Sequence, residues 1–226
     1  MKTVVMMSGG LDSVITAAWL KSKNVDLHAI FFDYGQRAAC QELNAFMYFV
    51  KALHIRIYKI ITLPLVKRLL HSSTWEVQYF DRELLLDKKR SVEIAQMDFM
   101  PYRNLFFAVS GALYAESIDA DTLAFGFNAE STLESCPDAT PKFLKALEEV
   151  FKLSVTTKKP LKVEAPLIHL KKHEILQLGR QLGVPFERTY SCFRGGELHC
   201  GCCEGCIKRQ DSFIRAGIPD LTKYKR

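Results

Sequence analysis

Apolar residues open the chain in a short run, Thr3–Met7, that meets glycines and polar residues at once. A run of that length bounded by a turn signal reads as a buried strand. After the turn, Ser13–Lys21 has helical spacing, and Leu27–Phe32 is a second buried strand that ends at Asp33. Gln41–Leu53 places Leu43, Phe46, Met47 and Val50 on one helical face, and Ile55–Ile61 alternates as a third strand. Strand, helix, strand, helix, strand in that order predicts a parallel sheet with right-handed crossovers. Further on, Asn104–Ala115 is a strongly apolar helix after Pro101, and Thr122–Phe127 is a strand running into Gly126, Phe127 and Asn128. Pro141–Leu153 is a helix with proline at its first position, and Lys171–Leu182 is another, closed by Gly183 and Pro185. A last helix is expected near Ile207–Ala216. Leu70–Met100 is polar and weakly periodic; it is long for an unstructured connection and is read as a partly helical lid. No internal repeat or low-complexity tract interrupts the pattern.

Composition narrows the class. The 226 residues suffice for one α/β core with a small appendage. A hydrophobic share of 48% and a charged share of 25% exclude a disordered or collagen-like chain. No apolar run reaches the roughly 18 residues that would suggest a membrane helix. The apolar N-terminus is too short for a signal peptide and is interrupted by Ser8, Gly9, Gly10 and Asp12. A cytoplasmic location is therefore expected, where thiols stay reduced. The net charge of +6 suits a polyanionic partner, and a nucleoside triphosphate satisfies that as well as RNA does.

The chemistry begins at Ser8-Gly9-Gly10-Leu11-Asp12-Ser13, between a strand and a helix. There the backbone N–H groups and the positive helix end face the turn, and two glycines let the chain curl close to an anion. Ser8 and Ser13 add donors, and Asp12 can orient a magnesium-bound phosphate. No Gly-Lys-Ser/Thr follows, so this is not a Walker loop, and the dinucleotide fingerprint Gly-x-Gly-x-x-Gly is absent. The match is to the pyrophosphate-loop pattern Ser-Gly-Gly-x-Asp-Ser. Asp33, Tyr34, Gly35, Gln36 and Arg37 follow the second strand, at the sheet edge where open α/β proteins bind ligands. Asp33 is suited to a ribose or adenine-side group, and Gln36 and Arg37 to a second substrate.

Seven cysteines are present, five of them between Cys192 and Cys206. In a reducing compartment such clustering points to metal before disulfide. Cys192, Cys200, Cys203 and Cys206 form a four-thiolate set suited to structural zinc, with Cys202 left as a free thiol. His199 is the alternative ligand.

These motifs together resemble the 7-cyano-7-deazaguanine synthase family of pyrophosphate-loop ATPases. The resemblance runs through Ser8–Ser13 and Phe32–Arg37, then Pro101–Asn104, Gly126–Ala129 and Pro137-Asp138 with Pro141 and Phe143. It continues in Lys172–Ile175, Leu182–Pro185, Ser191-Cys192 and the last three cysteines. It implies an adenine-nucleotide-alpha-hydrolase-like, Rossmann-like parallel sheet with helices on both faces and a C-terminal zinc-binding helical tail. The expected division is an ATP-pyrophosphate-loop domain over residues 1–185 and a zinc module over 186–226. The implied reaction converts 7-carboxy-7-deazaguanine and ammonia to the nitrile with ATP and Mg2+, in a homodimer without direct contact to nucleic acid or membrane. Met7, Ser8, Gly9, Gly10, Leu11, Asp12, Ser13, Asp33 and Gly126 are then expected to hold ATP. Tyr34, Gln36, Arg37, Asn104 and Asp138 are expected at the base, and Asp12, Ser13, Arg103 and Lys172 in the chemistry.

The family's Tyr-Ser-Gly-Tyr stretch before Pro-Asp-Cys is replaced here by Glu130–Cys136, one residue longer, with Ala139 in place of the cysteine. The common Pro-Gly-Arg-Asn is Pro101-Tyr102-Arg103-Asn104. These departures leave open a paralogue that adenylates the same acid and joins it to another amine, including one on a protein. A tRNA thiolase or lysidine-type ligase shares the loop, but no added RNA-binding part is evident. A zinc-stapled nucleotide-binding module without catalysis conflicts with the intact Asp12 and Arg103.

Overall fold

The computed structural model describes residues 1–63, 100–155 and 159–225. The lid expected over Leu70–Met100 falls outside them, apart from Met100 itself. Five strands form one parallel sheet: β1 (Lys2–Met6), β2 (Asp26–Asp33), β3 (Ile57–Thr62), β4 (Thr122–Ala124) and β5 (Lys162–Glu164), in the order β3-β2-β1-β4-β5. The helices are α1 (Leu11–Ser22), α2 (Ala39–Ala52), α3 (Arg103–Ser117), α4 (Pro141–Ser154), α5 (Lys172–Gln181) and α6 (Glu204–Ala216).

β1 is central, which explains its unbroken apolar run. Val5 packs with Leu27, Phe31, Phe46 and Ile175 on one face, under α1, α2 and α5. Val4 and Met6 pack with Ile30, Phe32, Leu144 and Phe151 on the other, under α3 and α4. Side chains of successive residues leave a strand on opposite sides, so a strand covered on both faces carries consecutive apolar residues, here Val4–Met6.

The expected elements form, with shifted limits. β4 stops at Ala124, and Phe125 then donates its N–H to Glu164 O at 2.8 Å as the chain leaves the ladder. β5 was not expected: three residues with charged Lys162 and Glu164 around one buried Val163 carry no apolar run. Thr140 caps α4 by accepting from Phe143 N at 3.3 Å, ahead of Pro141. α6 starts three residues before the expected Ile207, because Cys203 rather than an ordinary polar residue occupies its N-cap. Gly217 ends it in the left-handed region at φ 65°.

The tail is tied down by Arg209, whose side chain is fully buried. Its guanidinium bonds the Asp220 carboxylate, Thr189 Oγ1 at 2.7 Å, Ser191 Oγ at 3.2 Å and Phe186 O at 2.9 Å. Tyr190 N donates to Gly9 O at 3.0 Å, which joins the tail to the glycine turn. Among the described residues no helix is long and apolar enough to cross a membrane.

Candidate nucleotide and metal sites

Strand order reverses between β1 and β4, and open α/β sheets hold ligands outside the carboxyl ends of their strands at that point. A cleft of about 550 Å3 lies there. Met7, Ser8, Gly10, Leu11, Asp12, Ser13, Tyr34, Gln36, Arg37, Arg103, Asn104, Gly126 and Lys172 all line it, so most of the expected site comes together.

The turn after β1 is organised by its own hydroxyls. Ser13 Oγ donates to Gly10 O at 3.1 Å and accepts from Ser8 N at 3.1 Å, and Gly10 N donates to Ser8 Oγ at 3.4 Å. Gly9 takes φ +82°, and a Cβ there would lie 2.6 Å from Glu42 O. Gly10 is the N-cap of α1 and offers no side-chain cap, which leaves the first-turn N–H groups to an anion. Gly126 packs the end of β4 onto that turn: a Cβ would lie 2.7 Å from Ser13 Cα and 2.8 Å from Ser13 N.

Asp12 is fixed from across the cleft. Asn128 Nδ2 donates to its Oδ2 at 2.9 Å, and Lys172 Nζ lies 3.6 Å from the same oxygen. The Asp12 carboxylate raises the Lys172 pKa above its ordinary value, against the opposite pull of burial. At the other end of the cleft, burial works against the Arg103 charge, yet Tyr34, Asp138 and Cys136 together hold its pKa above the ordinary value. Burial pushes the Tyr34 phenol up, with Arg103 opposing.

Three expected residues do not line the cleft. Gly9 lies beneath the turn, against α2. Asp33 Oδ1 accepts from Gly35 N at 3.0 Å and shapes the loop after β2. Both carboxylate oxygens of Asp138 accept from Asn104, from its backbone N and from Nδ2, each at 3.2 Å. Asp138 thereby fixes the start of α3, and burial raises its pKa. Gln36 lines the cleft, but its amide also holds the loop: Oε1 accepts from Tyr34 N at 3.0 Å, and Nε2 donates to Phe32 O at 3.1 Å and Glu42 Oε2 at 2.9 Å.

Sequence reasoning missed Glu42, Cys136, Ser191, Glu204 and Lys208, which also line the cleft. Glu42 reads as an ordinary charge on an amphipathic helix, and no motif marks it. Glu204 and Lys208 carried one signal, an i,i+4 pair beside the metal cysteines.

The Sγ atoms of Cys192, Cys200, Cys203 and Cys206 lie within 4.8 Å of one another, and Cys200 Sγ is 3.8 Å from Cys206 Sγ. Four sulfurs around zinc at about 2.3 Å stand about 3.8 Å apart in a tetrahedron, so the set fits that ion. Cys200 N and Cys203 N donate to the sulfurs of Cys192 and Cys200, each at 3.3 Å, and support the thiolate form. Cys202 is outside the group. His199 Nε2 accepts from Ser191 N at 3.0 Å, which turns it toward the backbone and away from a ligand role.

This sheet order, glycine turn and four-cysteine tail define a pyrophosphate-loop-type nucleotide-binding α/β protein. Solved structures share the fold. A U34-tRNA thiolase, NcsA, from Methanococcus maripaludis aligns at TM-score 0.52 and 20% identity over 98% of this chain and 74% of its own. A 4-thiouridine synthetase in complex with RNA and ATP aligns at TM-score 0.51 and 16% identity over 99% of this chain and 47% of its own. At those identities the likeness concerns fold alone. The chain belongs to the family described as queuosine biosynthesis protein QueC, whose model matches residues 2–217. Relatives named 7-cyano-7-deazaguanine synthase include one from Methanothermobacter thermautotrophicus, 36% identical over the whole of both chains. One from Nostoc punctiforme is 36% identical over 99% of this chain and all of its own, and one from Thermoplasma acidophilum is 34% identical over 100% and 92%.

Proposed function

We propose that this chain is an ATP-dependent ligase that makes 7-cyano-7-deazaguanine from 7-carboxy-7-deazaguanine and ammonia. The observation that carries the reading is the meeting of an uncapped helix N-terminus with Asp12, Asn128 and Lys172 at the sheet's switch point, in a chain whose full-length relatives bear that synthase name.

A carboxylate resists ammonia because its oxygens are poor leaving groups. Attack of the acid on the α-phosphorus of ATP forms a C–O–P link and releases pyrophosphate. Ammonia then displaces AMP, a proton departs, and the amide remains. Family resemblance supplies a second round, in which the amide oxygen takes AMP and leaves with it, and loss of protons gives the nitrile. The first-turn N–H groups of α1 and the Ser8 and Ser13 hydroxyls grip the departing pyrophosphate. Lys172 and Arg103 offset the charge of two anions brought together. Asp12 is the side chain that would hold Mg2+, which supplies charge neutralisation at the phosphates. Tyr34, Arg37 and Asn104 face the base. The four cysteines hold zinc in a closed structural site, in a module over residues 186–226. A cytoplasmic location and a homodimeric state belong to the same proposal and rest on the family resemblance.

The test is product formation by the zinc-loaded protein, with nitrile read by mass spectrometry and AMP by chromatography. The wild type is expected to form both, and Asp12→Ala with Ser13→Ala to lose about 100-fold or more in AMP release. Undiminished cleavage in that double variant, or a wild type that forms no nitrile, overturns the reading.

A further inference from the structure

Lys172 is the first residue of α5, and its backbone N–H is one of the donors that a helix start leaves without an internal partner. Glu130 Oε1, 42 positions earlier in the chain, accepts that N–H at 3.0 Å. A cap for the helix alone is supplied locally, since Lys171 N donates to Glu174 Oε2 at 2.7 Å. The Glu130 bond instead falls on the residue whose side chain crosses to Asp12, with Lys172 Nζ 3.6 Å from Asp12 Oδ2.

The neighbouring contacts close a ring. Glu130 N donates to Asn128 Oδ1 at 2.9 Å, so the buried Asn128 amide turns its Nδ2 to Asp12 Oδ2, also at 2.9 Å. Ala129 N donates to Leu170 O at 2.9 Å, which ties the turn after β4 to the residues leading into α5. Glu130 is exposed, and an exposed carboxylate ordinarily samples several rotamers. Here the bonds at Ala129 N and Glu130 N hold its backbone, and the Lys172 N–H holds its carboxylate. A lysine stem is flexible, so the place of its backbone decides which anion the ammonium meets.

We propose that Glu130 is a positioning residue: by holding the first N–H of α5 against the turn after β4, it sets the reach of the Lys172 ammonium toward Asp12 and the triphosphate. In this role it acts through Lys172 rather than on the nucleotide itself. This deepens the reading given under Proposed function and rests on it.

The test is a cycle of variants in the zinc-loaded full chain: Glu130→Ala, Lys172→Ala, both together, and Glu130→Gln. Calorimetry measures binding of a non-cleavable ATP analogue with Mg2+. Loss of the Glu130 bond is expected to weaken the analogue about five-fold. Glu130→Gln keeps an acceptor oxygen and should restore most of that affinity. Lys172→Ala keeps the N–H but removes the ammonium, so adding Glu130→Ala to it should cost less than about two-fold more. Unchanged affinity in Glu130→Ala, an equal loss with and without the ammonium, or no recovery in Glu130→Gln overturns the proposal. Melting temperature and zinc content identify a misfolded variant, and Glu130→Ser, too short to make the bond, repeats the cycle independently. Failure of the underlying reading looks different, since the wild type itself would then bind no analogue and release no AMP.

Discussion

Replacing Gly126 with alanine places one methyl group between the end of β4 and the first turn of α1. Its carbon would stand 2.7 Å from Ser13 Cα, 2.8 Å from Ser13 N and 3.1 Å from Asp12 C. These are backbone atoms, so no side chain can swing aside. Opening the contact from 2.8 Å to the ordinary 3.4 Å moves the turn back by about 0.6 Å. Over-packing of that kind costs about 2 kcal/mol, or about 6 °C in Tm for a chain of this size. The same retreat shifts the N–H groups proposed to grip pyrophosphate. A misplacement near 1 Å costs about 100-fold, so about ten-fold in kcat/KM for ATP is expected. Gly183→Ala is the control for steric contact: it forces a residue to φ +70°, a strain that Gly126→Ala does not carry, but no atom lies within 4 Å of the added methyl. It should cost about 1 kcal/mol and leave kcat/KM unchanged. Thermal melts and pyrophosphate release measure both. A Gly126→Ala protein with wild-type kcat/KM would refute the idea that this contact sets the geometry of the cradle.

Three further outcomes follow from features away from that contact. Arg209→Met leaves Asp220 buried without its guanidinium, and is expected to cost about 3–5 kcal/mol, read as a fall in Tm of about 10 °C. Glu42, pushed up from its ordinary 4.5 mainly by burial, favours the folded state most when protonated; its contribution is full below 4.5 and is lost as pH rises through its folded value. Glu42→Gln should therefore raise the stability of the ligand-free protein at pH 7 relative to wild type and leave it little changed at pH 4, with denaturant melts at both pH values as the check. Cys203→Ser should abolish stoichiometric zinc and lower Tm by more than about 5 °C, whereas Cys202→Ser should keep about one zinc per chain by metal analysis.

What was legible in the chain was what local chemistry enforces. β1 could be read because both its faces are covered, which favours consecutive apolar residues such as Val4, Val5 and Met6. The turn at Ser8–Ser13 could be read because two glycines between a strand and a helix have few other uses. The cysteine set could be read because its spacing alone brings the sulfurs near one another. β5 was hidden, since an edge strand of three residues with one buried side chain has no pattern to show. Glu42 and Lys208 were hidden for a different reason: each has the spacing of a solvated helix face, and tertiary packing alone turns that face to the cleft. Asp138 shows the converse. It stands in a recognisable motif, but both its oxygens are taken by Asn104, so its service to the cleft is to hold the first turn of α3.

The pairing of β1 with β4 has a consequence for the order in which the protein matures. Asp12 is made early, yet the Asn128 that fixes it comes 116 residues later, and Lys172 later still. A nascent chain thus carries this turn without the Asn128 and Lys172 contacts to Asp12 through more than half of translation. If the turn holds ATP as proposed, the nucleotide acts as a late clamp that joins two halves already made.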